Sequence, residues 1–230
     1  MTSHQRNMKM SSNLDETRER ILVAAKEQFL TNGYDATRLD DIVRKAHVSK
    51  TTIYKIFGGK RELFFALNEA ILEDVISSLK IPQTEPTLTL EGVRCYLTKL
   101  GTEYLTALTK EERLSLVRLN ISIATRFNEA AKNFFNKGPG ALQNILSSYF
   151  DQIAANNILS IPNSKEAAGQ FLSLVRGNHH LRALLDEEYK IAPEAIPTYV
   201  DNAVTLFING HQKQSFNSEA AQRANDAAHR

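Results

Sequence analysis

Apolar side chains recur at every third or fourth position along most of the chain, which is the spacing of amphipathic helices. Within residues 14–32, for example, Ile21, Ala25 and Phe29 lie four positions apart. No stretch alternates convincingly with a period of two, and only 10 glycines and 6 prolines interrupt the chain. The sequence therefore predicts an all-α fold. The predicted helices span residues 14–32, 38–46, 50–56, 60–79, 88–108, 110–126, 128–136, 139–157, 164–186 and 194–210.

Two of the short predicted helices lie close together near the N-terminus. Thr37 followed by Asp40 indicates a capping-box start for the first, and Ser49 is placed to cap the second. Two helices joined by three or four residues form a helix-turn-helix. On the second helix, Ile53 and Phe57 are four positions apart and define the inward side.

The opposite face of this second helix carries Thr51 and Lys55, flanked by Thr52 and Tyr54. Hydroxyls, lysines and helix N-terminal amides are the groups that contact phosphates and base edges in DNA, and this face has no acid. These residues predict a DNA-binding surface, and a solvent-facing helical hairpin remains the alternative.

The net charge of +2 is unevenly distributed, with +4 over residues 1–62 and −2 over residues 63–230. A basic N-terminal part hints at an anionic partner, although ordinary variation in surface charge stays open. The single cysteine, Cys95, cannot form an internal disulfide. No apolar run approaches the roughly 20 residues of a membrane span, and residues 1–12 contain no block typical of a signal peptide. We expect a cytoplasmic protein without a membrane partner.

One pattern between Thr37 and Leu63 is more specific than the charge. It comprises Thr37, Ile42, Ala46, Val48, Ser49, Lys50, Thr52, Ile53, Tyr54, Phe57, Gly59, Lys60 and Leu63. The pattern resembles the DNA-binding signature of the TetR/AcrR transcriptional regulators, and the resemblance begins near Thr17. It implies a three-helix helix-turn-helix domain over residues 13–63. Residues 1–12, which have basic but no acidic side chains, predict a flexible basic arm that either contacts DNA or is a disordered tail without function. A larger helical domain for ligand binding and dimerisation would occupy residues 64–230, with helix 60–79 linking the two.

The resemblance also implies roles for single residues. Thr37, Tyr54 and Lys60 match positions that hold the phosphate backbone. Lys50, Thr51, Thr52 and Lys55 match recognition-helix positions that reach the major groove or its flanking phosphates. The complete candidate DNA-binding set is Thr37, Arg38, Ser49, Lys50, Thr51, Thr52, Tyr54, Lys55 and Lys60.

Three residues depart from the family pattern. His47 stands where a glycine with positive φ is usual, and histidine tolerates that conformation better than most residues. Thr51 stands where glycine or alanine is common, and Ile56 replaces a frequent histidine or tyrosine. We expect these departures to affect the choice of operator more than the existence of DNA binding.

The remainder of the chain is similar to the AefR-like C-terminal domain found in one branch of the family. The similarity rests on Arg126-Phe127, Phe134-Phe135, Gly138-Pro139-Gly140 and the run from Phe171 to Arg182. It implies a homodimer formed by the last two long helices, whereas packing within one chain is the alternative reading of their apolar faces. The candidate interface residues are Leu174, Leu181, Leu185, Val200, Val204 and Phe207.

A small-molecule site in the second domain is the other implication. The candidate ligand-binding residues are Phe64, Tyr104, Phe127, Tyr149, Phe171, Arg176 and His179, for each of which core packing is the alternative. The functional hypothesis is a repressor that binds a palindromic operator in double-stranded DNA and is released when a small molecule shifts helix 60–79. A sequence-tolerant architectural DNA-binding protein is the competing hypothesis. The sequence contains no nucleophile elbow, Walker loop or H-E-x-x-H motif, so we expect no enzyme, no cofactor and no metal.

Overall fold

Ten α-helices form the part of the chain that this computed structural model describes, which is residues 3–79 and 88–212, without the side chains of residues 3–12 and 78. They are α1 (Ser3–Ala36), α2 (Leu39–Ala46), α3 (Lys50–Phe57), α4 (Lys60–Ser78), α5 (Leu90–Leu108), α6 (Glu111–Ile123), α7 (Asn128–Lys137), α8 (Pro139–Ala155), α9 (Ser164–Leu185) and α10 (Ala195–His211). No strand occurs within these residues, and the predicted all-α fold class is confirmed.

The helix ends agree closely with the sequence signals, except at the start of α1. The sequence predicts a flexible arm over residues 1–12, but this helix already begins at Ser3. Residues 3–12 contain no glycine or proline, which is compatible with a helix. The predicted exit at Asn32-Gly33 is visible at Gly33, where φ is 75° and the backbone leaves helical geometry. The predicted break at Lys80–Thr87 and the tail from Asn217 lie outside the described residues.

One hydrophobic cluster, here called the head cluster, is enclosed by α1, α2, α3, α4 and α6. Ile21 and Phe29 from α1 pack with Ile53 from α3 and Phe64 from α4, and all four side chains are fully buried. Leu119 of α6 lies in the same cluster. The head cluster is therefore completed by a helix that is distant in sequence.

A second hydrophobic cluster, here called the body cluster, joins α5, α8, α9 and α10. The rings of Phe150 and Phe207 are 5.1 Å apart, and those of Phe171 and Phe207 are 5.3 Å apart. Helices α5 and α10 approach closely at Gly101, where a Cβ atom would lie 2.7 Å from a methyl group of Val200. Leu79, the C-cap of α4, belongs to the body cluster, so α4 contacts both clusters.

A pair of buried asparagines joins α4 to α6. Asn68 and Asn120 are 3% and 4% exposed. Each Nδ2 donates to the other's Oδ1 at 3.1 Å, and Asn120 Nδ2 also donates to the Leu116 carbonyl oxygen at 2.9 Å. Because amides need these reciprocal partners once buried, the pair fixes the register of the two helices.

The described residues lack two kinds of feature. None of their helices is both long enough and apolar enough to cross a bilayer. In the same part of the chain, no group of three or more His, Cys, Asp or Glu side chains is placed to hold a metal ion.

Candidate functional site

The connection between α2 and α3 is built from a left-handed residue and a capping serine. His47 ends α2 with φ 52° and ψ 49°, and its N–H donates to the Val43 carbonyl oxygen. Ser49 Oγ accepts a hydrogen bond from the Thr52 N–H at 3.0 Å. The expected positive φ at His47 and the expected cap at Ser49 are both confirmed. Three residues thus separate α2 from α3, as in a helix-turn-helix.

Helix α3 buries one side and exposes the other. Ile53 is fully buried, and Phe57 packs against the head cluster. On the other side Thr51 and Lys55 are exposed, and Tyr54 is 52% exposed. No Asp or Glu occurs in α3. The helix therefore presents hydroxyls, a phenol and a lysine to solvent, in the arrangement expected from the helical angle.

The candidate DNA-binding residues differ in their exposure. Thr52 and Lys60 are half-buried, and Thr37 is buried. The exposed members of the set are Arg38, Ser49, Lys50, Thr51, Tyr54 and Lys55.

Thr37 does not have the role predicted from the sequence. Its side chain is buried, and its hydroxyl lies 2.7 Å from the Gly33 carbonyl oxygen and 2.9 Å from the Gln28 carbonyl oxygen. The N-cap of α2 is Arg38, and its side chain makes no capping hydrogen bond. The predicted capping box and phosphate contact of the Thr37 side chain are wrong, because this hydroxyl closes the turn that follows α1.

Asp40 pairs with two of the candidate cations. Its Oδ1 is 3.1 Å from Lys50 Nζ, and its Oδ2 is 3.9 Å from Arg38 Nη2. All three side chains are at least half exposed, so each pair contributes at most about 1 kcal/mol to stability. The two cations are held near the start of α3 by interactions weak enough for a phosphate to displace.

Lys60 is anchored where α4 begins. Its Nζ donates to the Asp35 carbonyl oxygen at 3.2 Å and lies 4.6 Å from the centre of the Tyr34 ring. Partial burial lowers the pKa of Lys60, which Asp35 opposes and Arg126 reinforces. Lys60 thus joins the end of α1 to the start of α4.

A cavity of about 140 Å³ lies between α4, α5, α6, α8 and α9. Its wall is mainly apolar, and Leu116 belongs both to this wall and to the head cluster. The lining residues are Leu72, Val75, Ile76, Leu79, Tyr104, Leu108, Arg113, Leu116, Val117, Phe134, Gly138, Pro139, Leu142, Arg176 and His180. The cavity is therefore in direct contact with α4 and α6, two of the helices that form the head cluster.

Four polar side chains interrupt the apolar wall. His180 is 8% exposed, and neither its Nε2 nor the buried Nη1 of Arg113 has a hydrogen-bond partner within the described part of the chain. Burial, reinforced by Arg176, lowers the pKa of His180 to about 4, so its imidazole is neutral near pH 7. Burial raises the pKa of Tyr104, which Arg176 partly offsets. An apolar cavity with a few convergent polar atoms is typical of a small-molecule site.

Only some of the predicted ligand-binding residues lie at this cavity. Tyr104 and Arg176 line the cavity. Phe64 and Phe127 do not, because their rings pack against Tyr34 with ring centres 5.3 Å and 5.1 Å away. These two phenylalanines stabilise the head cluster instead.

Tyr149 and Phe171 are also outside the cavity. Phe171 is fully buried between Phe150 and Phe207. Tyr149 packs against Tyr96, with the ring centres 4.3 Å apart. Their prediction as ligand contacts is corrected, since both side chains fill the body cluster.

A kink in α9 decides which of two neighbouring histidines faces the cavity. Gly177 has φ 45° and ψ −151°, and a Cβ atom there would lie 1.7 Å from the Tyr199 hydroxyl oxygen, so only glycine fits. Beyond the kink, His180 lines the cavity, whereas His179 Nδ1 is hydrogen-bonded to the Tyr189 hydroxyl. The predicted residue His179 is therefore not part of the cavity wall, whereas its neighbour His180 is.

Three of the predicted interface residues are buried within the chain itself. Val200 and Val204 are fully buried, Phe207 is 2% exposed, and all three belong to the body cluster. Their assignment to a dimer interface is wrong because this side of α10 packs against α5 and α9.

The other three predicted interface residues are exposed on α9. Leu174, Leu181 and Leu185 are 38%, 56% and 80% exposed, and Leu206 of α10, which the sequence analysis missed, is 65% exposed. Tyr199 connects the two helices by donating to the Leu174 carbonyl oxygen at 3.2 Å. These four leucines are here called the α9–α10 stripe, an apolar surface with no covering element in the described chain.

Two family descriptions match most of the chain. Residues 21–67 match the tetR family of bacterial regulatory proteins, and residues 96–212 match the AefR-like transcriptional repressor C-terminal domain. The HTH-type transcriptional regulator YvkB of Bacillus subtilis is 27% identical over 194 residues, which are 84% of this chain and 96% of that protein. The HTH-type transcriptional activator FasR of Mycolicibacterium smegmatis is 36% identical over 66 residues, 29% of this chain and 30% of FasR.

Solved structures share the same arrangement of helices. A TetR-family regulator from Mesorhizobium loti superimposes with a TM-score of 0.77 at 23% identity, covering 87% of this chain and 98% of its own. The Flavonoid-responsive Regulator FrrA superimposes with a TM-score of 0.74 at 29% identity, covering 86% and 98%. These similar proteins are all named as regulators, which supports the expectation that the chain is not an enzyme.

Proposed function

Because this chain belongs to the TetR family of bacterial transcriptional regulators and carries an AefR-like C-terminal domain, we propose that it is a homodimeric repressor released from a palindromic operator by a small molecule. The family membership makes it a helix-turn-helix regulator. The observation that carries the proposal is the cavity between α4 and α6, both of which also pack in the head cluster. Its place of action would be the cytoplasm, where the operator DNA is accessible.

The surface for DNA is the exposed face of α3 together with the starts of α2 and α4. Thr51 and Lys55, which are exposed, would enter the major groove, while Lys60 and Tyr54 would contact the phosphate backbone. Lys50 and Arg38 exchange Asp40 for phosphates on binding. This division of roles separates sequence readout from backbone contacts.

The dimer would form through the α9–α10 stripe. Leucines exposed by 38% to 80% on adjacent helices are costly to leave in water, and a second copy of the same surface covers them with twofold symmetry. A twofold dimer also places two copies of α3 in successive major grooves, roughly 34–36 Å apart.

Ligand control would pass through α4 and α6. Leu72, Val75 and Ile76 of α4 line the cavity, and the same helix begins at Lys60 beside the DNA-binding surface. A ligand that fits one position of α4 better than another shifts the equilibrium between dimer geometries. FrrA is named as flavonoid-responsive and is similar over most of this chain, which supports a small-molecule effector here.

Alanine variants of the DNA-binding surface test the proposed roles. We expect Lys60→Ala to weaken binding to all sequences by a similar factor and to reduce the salt dependence by about one unit. Thr51→Ala and Lys55→Ala should instead change sequence preference at single base pairs, by roughly 5- to 150-fold if the contacts are direct. Fluorescence anisotropy with the operator and with random duplexes at several salt concentrations measures both effects.

Lys99→Ala, on the exposed side of α5, is the matched control and should leave DNA binding unchanged. Equal losses of affinity on every duplex for the Lys60, Thr51 and Lys55 variants would contradict the division of roles. Binding that is equally tight for the palindrome and for random DNA would favour the architectural hypothesis.

Removing the Asp40 carboxylate should strengthen DNA binding. We expect Asp40→Asn to raise the affinity for DNA about two- to fivefold. In this variant Lys50 and Arg38 can bind phosphates without first breaking their ion pairs with Asp40. Asp41→Asn is the control, since Asp41 lies on the same helical turn but pairs with Arg44. A titration at fixed salt that gives the same gain for both variants would attribute the effect to net charge alone.

A further inference from the structure

We infer that the effector is a small carboxylic acid with an apolar body of about one aromatic ring, whose carboxylate binds Arg113 inside the cavity. This inference rests on the proposed function, because it specifies the ligand of the same cavity. The cavity volume, the sign of the charges around it and the unsatisfied polar atoms in its wall all lead to this chemical class.

The charges in the wall have one sign. Arg113 and Arg176 line the cavity, and no Asp or Glu is among its described lining residues. His180 adds a neutral imidazole at neutral pH. Arg176 is exposed, whereas the Arg113 side chain is largely buried. A cationic ligand would therefore meet positive charge without a carboxylate in the wall, while an anionic ligand would find Arg113 as its partner.

Arg113 has one nitrogen in use and one free for a ligand. Its Nη2 lies 3.7 Å from Asp74 Oδ2, and the Asp74 side chain is 77% exposed. Its Nη1 is buried and without a partner in the described chain, and the Arg113 side chain as a whole is only 11% exposed. A buried guanidinium N–H that lacks an acceptor is costly, and a ligand carboxylate supplies that acceptor with a charge-assisted hydrogen bond.

The size and the wall of the cavity define the rest of the ligand. About 140 Å³ is close to the roughly 150 Å³ in which a benzene molecule is held. Leu72, Leu116 and Leu142 provide apolar contact, while Tyr104 and Phe134 provide aromatic contact. One ring bearing a carboxylate matches this combination, and His180 Nε2 remains to bond a second polar group.

Binding of matched probes to the full-length protein tests the inference. We expect isothermal titration to detect benzoate or cinnamate, and to show at least tenfold weaker binding of benzamide, cinnamamide and benzylamine. Arg113→Gln should weaken carboxylate binding about 10- to 100-fold and change amide binding by less than about twofold. Arg94→Gln is the control, because Arg94 is a partly buried arginine of α5 that pairs with Asp201 outside the cavity.

Equal binding of carboxylates and amides, or no binding of any carboxylate, would overturn the inference, as would equal losses in the Arg113 and Arg94 variants. If Arg113→Gln lowers stability, the comparison stays valid, because both probe classes are measured on the same variant. Operator binding measured without any probe separates the two proposals. An intact operator complex with no carboxylate binding refutes the ligand class alone, whereas carboxylate binding that leaves the operator complex unchanged refutes ligand-controlled release.

Discussion

Replacing Leu181 by glutamate is expected to lower the affinity for a palindromic operator by about 100-fold or more. The leucine lies in the middle of the α9–α10 stripe and is 56% exposed. In a twofold dimer each glutamate would lie near its symmetry mate in an apolar interface, which is strongly unfavourable. A protomer that loses its partner keeps one half-site and loses the avidity of two linked sites, which is worth about 10²–10⁴ in affinity.

Sedimentation velocity and operator titration should change together in this variant. Phe135→Glu is the matched control, because Phe135 is 55% exposed on α7, a helix that packs against α4, α6 and α8, and it should leave both measurements unchanged. Leu206→Glu should repeat the effect of Leu181→Glu from the other helix. A monomer–dimer equilibrium unaffected by either stripe variant would place the interface elsewhere on the surface.

The sequence alone was sufficient for the features that depend on local periodicity and on caps. The outward face of α3 follows from the spacing of Ile53 and Phe57, and the turn before it follows from the capping chemistry of Ser49. The positive φ of His47 could be predicted because the family pattern has glycine there. All of these depend on residues fewer than ten positions apart, for which helical geometry fixes the relative direction of side chains.

The features that depend on distant packing were predicted less well. The apolar residues of α10 do not reveal that Val204 points into the body cluster whereas Leu206 points out. An apolar residue on such a helix can pack either in the core of its own chain or against a partner chain. The choice between His179 and His180 depends on the φ of Gly177, and periodicity extended through that glycine gives the wrong phase. Arg113 is absent from the predicted set because its buried, unpartnered nitrogen is visible only in the three-dimensional arrangement.

Thr37 is a different kind of error. Its position matches the family pattern, but its hydroxyl is already used by the Gly33 and Gln28 carbonyl oxygens. The signal was present in the sequence, since a left-handed glycine four residues earlier leaves a carbonyl group that needs a donor. A match to a binding position is therefore weaker evidence than a free side chain at that position.

Breaking the buried asparagine pair should cost stability and also uncouple the ligand from the DNA. We expect Asn68→Leu to reduce the free energy of unfolding by about 1–3 kcal/mol, because Asn120 loses its partner in a buried site while retaining only the Leu116 carbonyl oxygen. The double variant Asn68→Leu/Asn120→Leu should be less destabilised than the sum of the single variants, since both amides are replaced by apolar groups of similar size. Urea denaturation at a fixed protomer concentration provides this comparison.

The double variant then separates packing from signalling. If the reciprocal amide bonds hold α4 and α6 in one register, the folded double variant should bind operator normally but require a higher ligand concentration for release, or release incompletely. Asn133→Leu is the control, because Asn133 also bonds to a residue of α4, Glu69, but from the partly exposed helix α7 rather than from α6. Unchanged release in a stable double variant would show that the coupling does not depend on this pair. Leu116, which belongs both to the head cluster and to the cavity wall, would then be the remaining connection between ligand and DNA.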